Sequence, residues 1–191
     1  MRVISGILKG RNIKGFDIEG TRPTMDRVKE SMFATIQDYI KDSICLDLFC
    51  GSGNLGIEAI SNGAKLCYFV DNNPKAIKTV EENIKNLNIK ENSKILNYDY
   101  KKSLKHFNET NTKFDLIFAD PPYDYHVIEK IIKYVEEYNL LNDNGLLILE
   151  FEKENLQENY GNITLIKSKK YSWKHVNIYK KIQNICKTNW H

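Results

Sequence analysis

The tetrapeptide Asp120-Pro121-Pro122-Tyr123, at the end of the apolar run Phe114-Asp-Leu-Ile-Phe-Ala119, constrains the fold more than any other stretch. A short, continuous apolar run rich in aromatic and branched residues reads as a buried strand. Two successive prolines cannot continue a hydrogen-bonded ladder, so the chain must leave the sheet there in an extended turn. A carboxylate, a rigid turn with open carbonyl oxygens and an aromatic ring are therefore presented together at a strand's carboxyl end. In open α/β sheets that edge binds ligands.

The remaining elements supply the sheet. Residues 1–20 alternate short β-like pieces with Gly6, Gly10 and Gly15, which predicts a small hairpin arm with Arg2, Lys9, Arg11 and Lys14 on its exposed side. Thr24 reads as the N-cap of a helix running to about residue 40, with Val28, Met32, Phe33 and Ile36 at helical spacing. A first strand over 44–49 enters the turn Cys50-Gly-Ser-Gly-Asn-Leu-Gly56, and a helix follows to a stop at Gly63. A second strand (66–70) ends in Asp71. A helix opened by Pro74 carries Ile77, Val80, Ile84 and Leu87 on its apolar face. A third strand is predicted over 94–98, ending in Asp99, and a helix over 124–138 precedes an Asn144-Gly145 turn and a strand over 146–150. This alternation implies a parallel sheet with helices on both faces. The end differs, because strands over 163–171 and 176–182 are too close in sequence to pair other than as an antiparallel hairpin.

With 191 residues and 41% hydrophobic content the chain predicts one domain with a small appendage. The expected division is an arm over 1–20, a main domain over 21–183 and a tail over 184–191. No apolar stretch is long enough to cross a bilayer and no signal-peptide pattern opens the chain, so a soluble, cytoplasmic protein is expected. Cys45, Cys50, Cys67 and Cys186 lack C-x-x-C spacing, and the histidines show no metal-like pairing, so no metal is expected. Charge is divided unevenly. Residues 1–41 carry +3, residues 42–162 carry −7, and residues 163–191 carry seven lysines and no acid. Two basic ends on an acidic middle suit a polyanion held by the ends, although lysines that merely solvate exposed strands give the same pattern.

Gly51-Ser-Gly53-Asn-Leu-Gly56 matches G-x-G-x-x-G, so a dinucleotide enters consideration. Three acids argue for another ligand. Asp47, just before the loop, would repel a pyrophosphate but accept hydrogen bonds from an ammonium group. Asp71 has the spacing from Gly51 at which a carboxylate meets ribose hydroxyls, and Asp99 suits the exocyclic amine of adenine. A ligand with adenine, ribose and an amino-acid tail but no phosphate is S-adenosylmethionine. The Asp-Pro-Pro-Tyr turn would then hold a planar amine that receives the methyl group, and it has no task in hydride transfer. An adenine-N6 methyltransferase, a nicotinamide-dependent oxidoreductase and a non-catalytic RNA-binding module are the competing readings.

Arg22-Pro-Thr-Met-Asp-Arg-Val-Lys-Glu30, Leu46-Asp-Leu-Phe-Cys-Gly-Ser-Gly-Asn-Leu-Gly-Ile-Glu-Ala59, Asp71 and Asp120-Pro-Pro-Tyr123 closely resemble the RsmD-like family, over nearly the whole chain. These are bacterial guanine-N2 methyltransferases of 16S ribosomal RNA. The resemblance implies an α/β, Rossmann-like class I methyltransferase fold: a mostly parallel seven-stranded sheet with a C-terminal antiparallel hairpin and a small N-terminal β arm. It implies S-adenosylmethionine as cofactor and ribosomal RNA, in a small subunit or assembly intermediate, as partner, with a monomeric enzyme and no membrane. Asp120, Pro121, Pro122 and Tyr123 are then the expected catalytic residues. Asp47, Phe49, Gly51, Ser52, Gly53, Asp71, Asn72, Asp99, Tyr100 and Asp120 are expected around the cofactor. Arg2, Lys9, Arg11, Lys14, Arg22 and Arg27 are expected on the RNA. The chain departs from the family at Tyr171-Ser172-Trp173, where members usually carry a glycine after the tyrosine.

Overall fold

Successive residues of the run Leu116-Ile117-Phe118-Ala119 drop alternately into two separate cores, Leu116 and Phe118 into one, Ile117 and Ala119 into the other. Leu146 to Leu149 alternate in the same way. Such period-two burial on both faces requires a sheet covered on both sides. The computed structural model, which describes residues 1–15, 23–122 and 127–183, has this architecture.

In chain order the elements are α1 (Pro23–Ile36), β1 (Ile44–Leu48), α2 (Asn54–Ser61), β2 (Leu66–Val70), α3 (Pro74–Leu87), β3 (Ser93–Leu96), α4 (Tyr100–Glu109), β4 (Phe114–Ala119), α5 (Ile128–Glu137), β5 (Leu141–Phe151), β6 (Asn159–Tyr160), β7 (Ile163–Tyr171) and β8 (Lys174–Lys181). They form one sheet in the order β3-β2-β1-β4-β5-β8-β7-β6. β1 to β5 are parallel, while β8 pairs antiparallel with β5 and β7 with β8. The seven expected strands are present, and the two-residue β6 adds an eighth at the edge. One core lies under α1, α2, α3 and the N-terminal arm, and the other under α4 and α5. After β1 the chain builds outward through β2 and β3, then returns to place β4 on the other side of β1. The strand order therefore reverses between β1 and β4, where Leu48 pairs with Ala119. That switch point leaves a crevice at the carboxyl ends of the two strands.

Several boundaries differ from expectation. Thr24 lies inside the first turn of α1 rather than at its cap, and the helix ends at Ile36 in a short 3-10 turn over Gln37–Tyr39. β3 stops at Leu96, so Asp99 does not end a strand. It caps α4 instead, its carboxylate accepting the Lys102 N–H at 3.0 Å. α4 itself is an addition: Tyr100, Leu104 and Phe107 recur at helical spacing and are buried, but the intervening lysines dilute the signal. On α3 the inward face is Ala76, Val80, Asn83, Ile84 and Leu87, with Ile77 only half-buried. Asn144-Gly145 is a register irregularity within β5, which starts at Leu141. β8 starts at Lys174, so Ser172 and Trp173 alone close the last hairpin. The helix expected over 124–138 begins at Ile128 among the described residues, with the Glu154 carboxylate accepting the N–H groups of Ile128 and Glu129 at its amino end. Within the described residues no helix is long and apolar enough to cross a membrane.

The N-terminal segment is a hairpin, with Arg2 bridged to Asn12 and Val3 N–H donating to Arg11 O at 2.9 Å. It is not a free arm. Val3 and Ile13 are buried in the first core, and Glu58 of α2 accepts the backbone N–H groups of Ile4 and Ser5.

Candidate active site

The turn after β1 is built by glycines whose roles separate cleanly. Gly51 and Gly53 have φ of 55° and 82°, left-handed values that residues with a side chain adopt at a cost. At Gly56, in the first turn of α2, a Cβ would run into the Phe69 ring and the Cys67 sulfur, so glycine is what lets the helix lie directly on β2. The Gly56 N–H donates to Asp47 Oδ2 at 2.8 Å. Asp47 thus fixes the start of α2 from inside β1, while its carboxylate borders the crevice. It is 2% exposed, and burial pushes its carboxyl up to about 7, against the opposing effect of the Gly56 hydrogen bond.

Asp71 closes the turn from the neighbouring strand. One carboxylate oxygen accepts the Gly51 N–H at 2.9 Å and the other the Asn73 N–H at 2.9 Å. Asn83 of α3 adds a third tie, donating to both Ser52 O and Lys14 O at 2.9 Å and accepting the Lys14 N–H at 2.9 Å. This one buried amide joins the glycine turn to the N-terminal hairpin.

Two adjoining cavities open at this edge, and Phe49 lines both. Phe49 holds a left-handed φ of 65°, a strain of about 1–3 kcal/mol of the kind that concentrates at functional sites. Its ring sits 5.6 Å from that of Tyr100. One cavity, about 370 Å³, is walled by Val70, Asp71, Asn72, Asp99, Tyr100 and Pro122. It offers carboxylates beside flat apolar surface, as an adenosine group requires. The other, about 280 Å³, is bordered by Asp47, Gly51, Ser52, Asp120, Glu150 and Trp173. Its acids suit a cationic, non-phosphorylated ligand tail, and it reaches the Asp-Pro-Pro turn. The donor set therefore fits S-adenosylmethionine in a way it does not fit a pyrophosphate.

Asp47, Phe49, Gly51, Ser52, Asp71, Asn72, Asp99, Tyr100, Asp120 and Pro122 thus meet at one edge. Gly53 is buried behind them, its missing Cβ making room for Val80. Pro121 is buried; Tyr123 and Arg22 lie outside the described residues. Of the basic residues, Arg2, Lys9, Arg11, Lys14 and Arg27 are all exposed, but two lean on α3: Lys14 pairs with Glu82 at 2.6 Å, and Arg11 donates to Asn86 O at 3.0 Å.

Sequence reasoning missed Glu150, Lys174, Trp173 and Lys29, which also border the second cavity. Lys174 Nζ lies 3.1 Å from each Asp120 oxygen and 2.5 Å from Glu150 Oε2. Burial first, then repulsion from Asp120, pushes the Glu150 carboxyl up to about 7, with Lys174 opposing. Glu150 ends an apolar strand run just as Asp71 does, a signal available in the sequence. Lys174 had none, because only the hairpin register brings it to Asp120. Among the described residues no group of three or more His, Cys, Asp or Glu side chains is placed to hold a metal ion. Cys45, Cys50 and Cys67 are buried free thiols, all pushed up by burial.

A glycine turn, strand-end acids and an Asp-Pro-Pro exit meeting at the switch point of such a sheet define the class I methyltransferase fold. The chain belongs to the family described as Conserved hypothetical protein 95, whose model matches residues 1–180. It is 40% identical over 182 residues to the putative rRNA methyltransferase YlbH of Bacillus subtilis, covering 95% of this chain and 99% of that protein. It is 36% identical over 170 residues to ribosomal RNA small subunit methyltransferase D of Haemophilus influenzae, covering 88% of each. The solved structure of a putative methyltransferase, yhhF, from Escherichia coli superposes with a TM-score of 0.83 at 28% identity, over 95% of this chain and 98% of that one. That of the putative methylase HI0767 from Haemophilus influenzae gives 0.79 at 31% identity, over 95% and 98%.

Proposed function

We propose that this protein transfers the methyl group of S-adenosylmethionine to the exocyclic N2 amine of a guanine in small-subunit ribosomal RNA. The observation that carries the reading is Asp120, a half-buried carboxylate followed by Pro121, set in the cavity that the glycine turn and Asp47 also border. The names of the relatives, which specify ribosomal RNA and its small subunit, support the substrate class.

An exocyclic base amine is a weak nucleophile because its lone pair is delocalised into the ring. The bound cofactor supplies an electrophilic methyl group on a sulfonium. The protein's task is to aim the lone pair. Asp120 and the Pro121 carbonyl each accept one amine N–H, which fixes the nitrogen and raises its electron density. Asp71 and Asp99 take the ribose and adenine, and Asp47 takes the ammonium of the cofactor tail. Tyr123 stacks on the base, a contact worth about 1–3 kcal/mol. The guanine leaves its RNA stack to reach the cavity. Most of the rate enhancement then comes from alignment and electrostatics.

The test is to incubate the protein with methyl-labelled cofactor and small ribosomal subunits lacking the modification, with deproteinised RNA in parallel. Digestion to nucleosides should place the label in N2-methylguanosine. Label in N6-methyladenosine would transfer the same chemistry to adenine, and no label in any nucleoside would overturn the proposal.

A further inference from the structure

Glu150 and Lys174 have no part in the roles given so far, yet they bear directly on the carboxylate the reaction needs. Glu150 lies near the end of β5 and Lys174 opens β8, the two strands pairing antiparallel. The Lys174 and Glu150 side chains are 5% and 7% exposed and Asp120 is 35% exposed. The ammonium therefore reaches both Asp120 oxygens from the protein interior and leaves the carboxylate open toward the cavity. An ionised carboxylate offers about four lone-pair sites, so a lysine held against both oxygens still leaves acceptors for an amine.

We propose that Glu150 and Lys174 are positioning residues for methyl transfer: Lys174 fixes the plane of the Asp120 carboxylate, and Glu150 cancels the charge that Lys174 brings. This rests on the methyl-transfer reading and deepens it. As the bond from nitrogen to the methyl carbon forms and the bond from carbon to sulfur breaks, the electron pair of the broken bond stays on sulfur. Positive charge passes to the nitrogen, which then releases a proton to Asp120 or to water. A lysine alone beside Asp120 would oppose that arrival of charge. With Glu150 ionised, the three groups together carry one negative charge facing the amine.

Charge balance makes a non-additive prediction. Glu150→Gln leaves a neutral Asp120–Lys174 pair against the developing cation. Lys174→Met leaves two carboxylates side by side, and the more deeply buried Glu150 keeps a proton, so Asp120 loses the ammonium that fixes its plane. The double variant presents the same single carboxylate, so removing Glu150 costs little once Lys174 is gone.

The experiment is single-turnover methyl transfer at about pH 8, above the raised Glu150 carboxyl, on unmodified small subunits, with cofactor affinity by calorimetry and thermal melts on each variant. Each single variant should slow the methyl-transfer step by about tenfold or more while cofactor affinity changes by about twofold at most, and the double variant should fall within about twofold of Lys174→Met. Lys174→Arg should keep most of the rate. Single variants at the wild-type rate, or a double variant slowed by the product of the two single effects, would overturn the proposal. If Lys174→Met loses its melting transition, the isosteric Glu150→Gln and the charge-conserving Lys174→Arg decide the matter by the same criteria. A wild-type protein that transfers no methyl group overturns the underlying reading instead, and is recognised before any variant is compared.

Discussion

Lys29 Nζ lies 2.8 Å from Glu58 Oε2, and the two side chains are 3% and 0% exposed. The same ammonium donates to Arg2 O at 3.0 Å and to Asn54 Oδ1 at 2.7 Å. The same carboxylate accepts the Ser5 N–H at 2.8 Å and the Ser5 hydroxyl at 2.7 Å. One buried ion pair thus ties α1, α2 and the N-terminal hairpin together at the wall of the second cavity. Within the Arg22–Glu30 segment that marks the family resemblance, Lys29 has this structural task, distinct from any contact with RNA.

Breaking such a pair by removing one partner leaves an uncompensated buried charge, typically costing about 3–5 kcal/mol. Lys29→Met and Glu58→Gln should each lower the melting temperature substantially, and their double variant should lose less than the two effects combined. Limited proteolysis should cut within residues 1–15 in Lys29→Met and spare the wild type. An unchanged melt for Lys29→Met would show that the pair contributes nothing.

Asp71 offers both oxygens to backbone N–H groups, one of them on the glycine turn. Asp71→Ala removes charge-assisted hydrogen bonds worth about 1.5–3 kcal/mol each, together with the proposed ribose acceptor. Cofactor affinity should fall by at least tenfold in calorimetry. A dissociation constant equal to that of the wild type would rule out the ribose contact.

Asp120→Asn keeps the shape of the side chain but replaces one acceptor with a donor. Labelled-methyl transfer should fall below detection while cofactor binding stays close to wild type. Near-normal turnover, or loss of cofactor binding, would remove Asp120 from the acceptor role.

The sheet was legible in the sequence because both of its faces are covered. β1, β2 and β4 read as apolar runs close to their observed bounds, and turn residues delimit them. Asp71 and Asp120 were legible because each directly follows a strand. What escaped depends on partners distant in sequence. Asp99 has an acid's usual place at a helix N-cap, and its proposed ligand role rests on the cavity it borders. α4 was hidden because lysines on its outer face interrupt a short apolar stripe. Lys174, 54 residues from Asp120, could be found only through the two-residue turn that sets the register of the last hairpin. Lys29 and Glu58 read as solvent charges on amphipathic helices until the hairpin is packed over them.

Gly56 reverses an ordinary expectation. Glycine to alanine in a helix usually stabilises by about 0.5–1 kcal/mol. Here the added methyl would overlap the Phe69 ring and lie 2.6 Å from the Cys67 sulfur, both on a buried strand. Overpacking of this kind costs about 1–3 kcal/mol. Gly56→Ala should therefore destabilise the protein in urea unfolding. It should also weaken cofactor binding, because α2 carries the Gly56 N–H away from Asp47. A variant as stable as wild type would mean that α2 can lift from the sheet at little cost.

Asp47 should make the stability of the ligand-free protein depend on pH in an unusual direction. Its carboxyl is pushed up to about 7 by burial, from an ordinary 3.8. Between these values the folded protein holds a proton that the unfolded chain has released, so this group's contribution falls as pH rises from about 4 to about 7 and stays low above. Asp47→Asn keeps an acceptor for the Gly56 N–H and removes the ionisation. It should raise stability over wild type at pH 8, by up to about 1.4 kcal/mol for each unit of the shift, and the gain should shrink toward pH 4. The proposed ammonium of the cofactor favours the ionised carboxylate, so binding near pH 6.5 should release protons in the wild type and fewer in Asp47→Asn. Calorimetry in buffers of different ionisation enthalpy reads that proton count directly. Equal proton release by both proteins would place the ammonium elsewhere in the cavity.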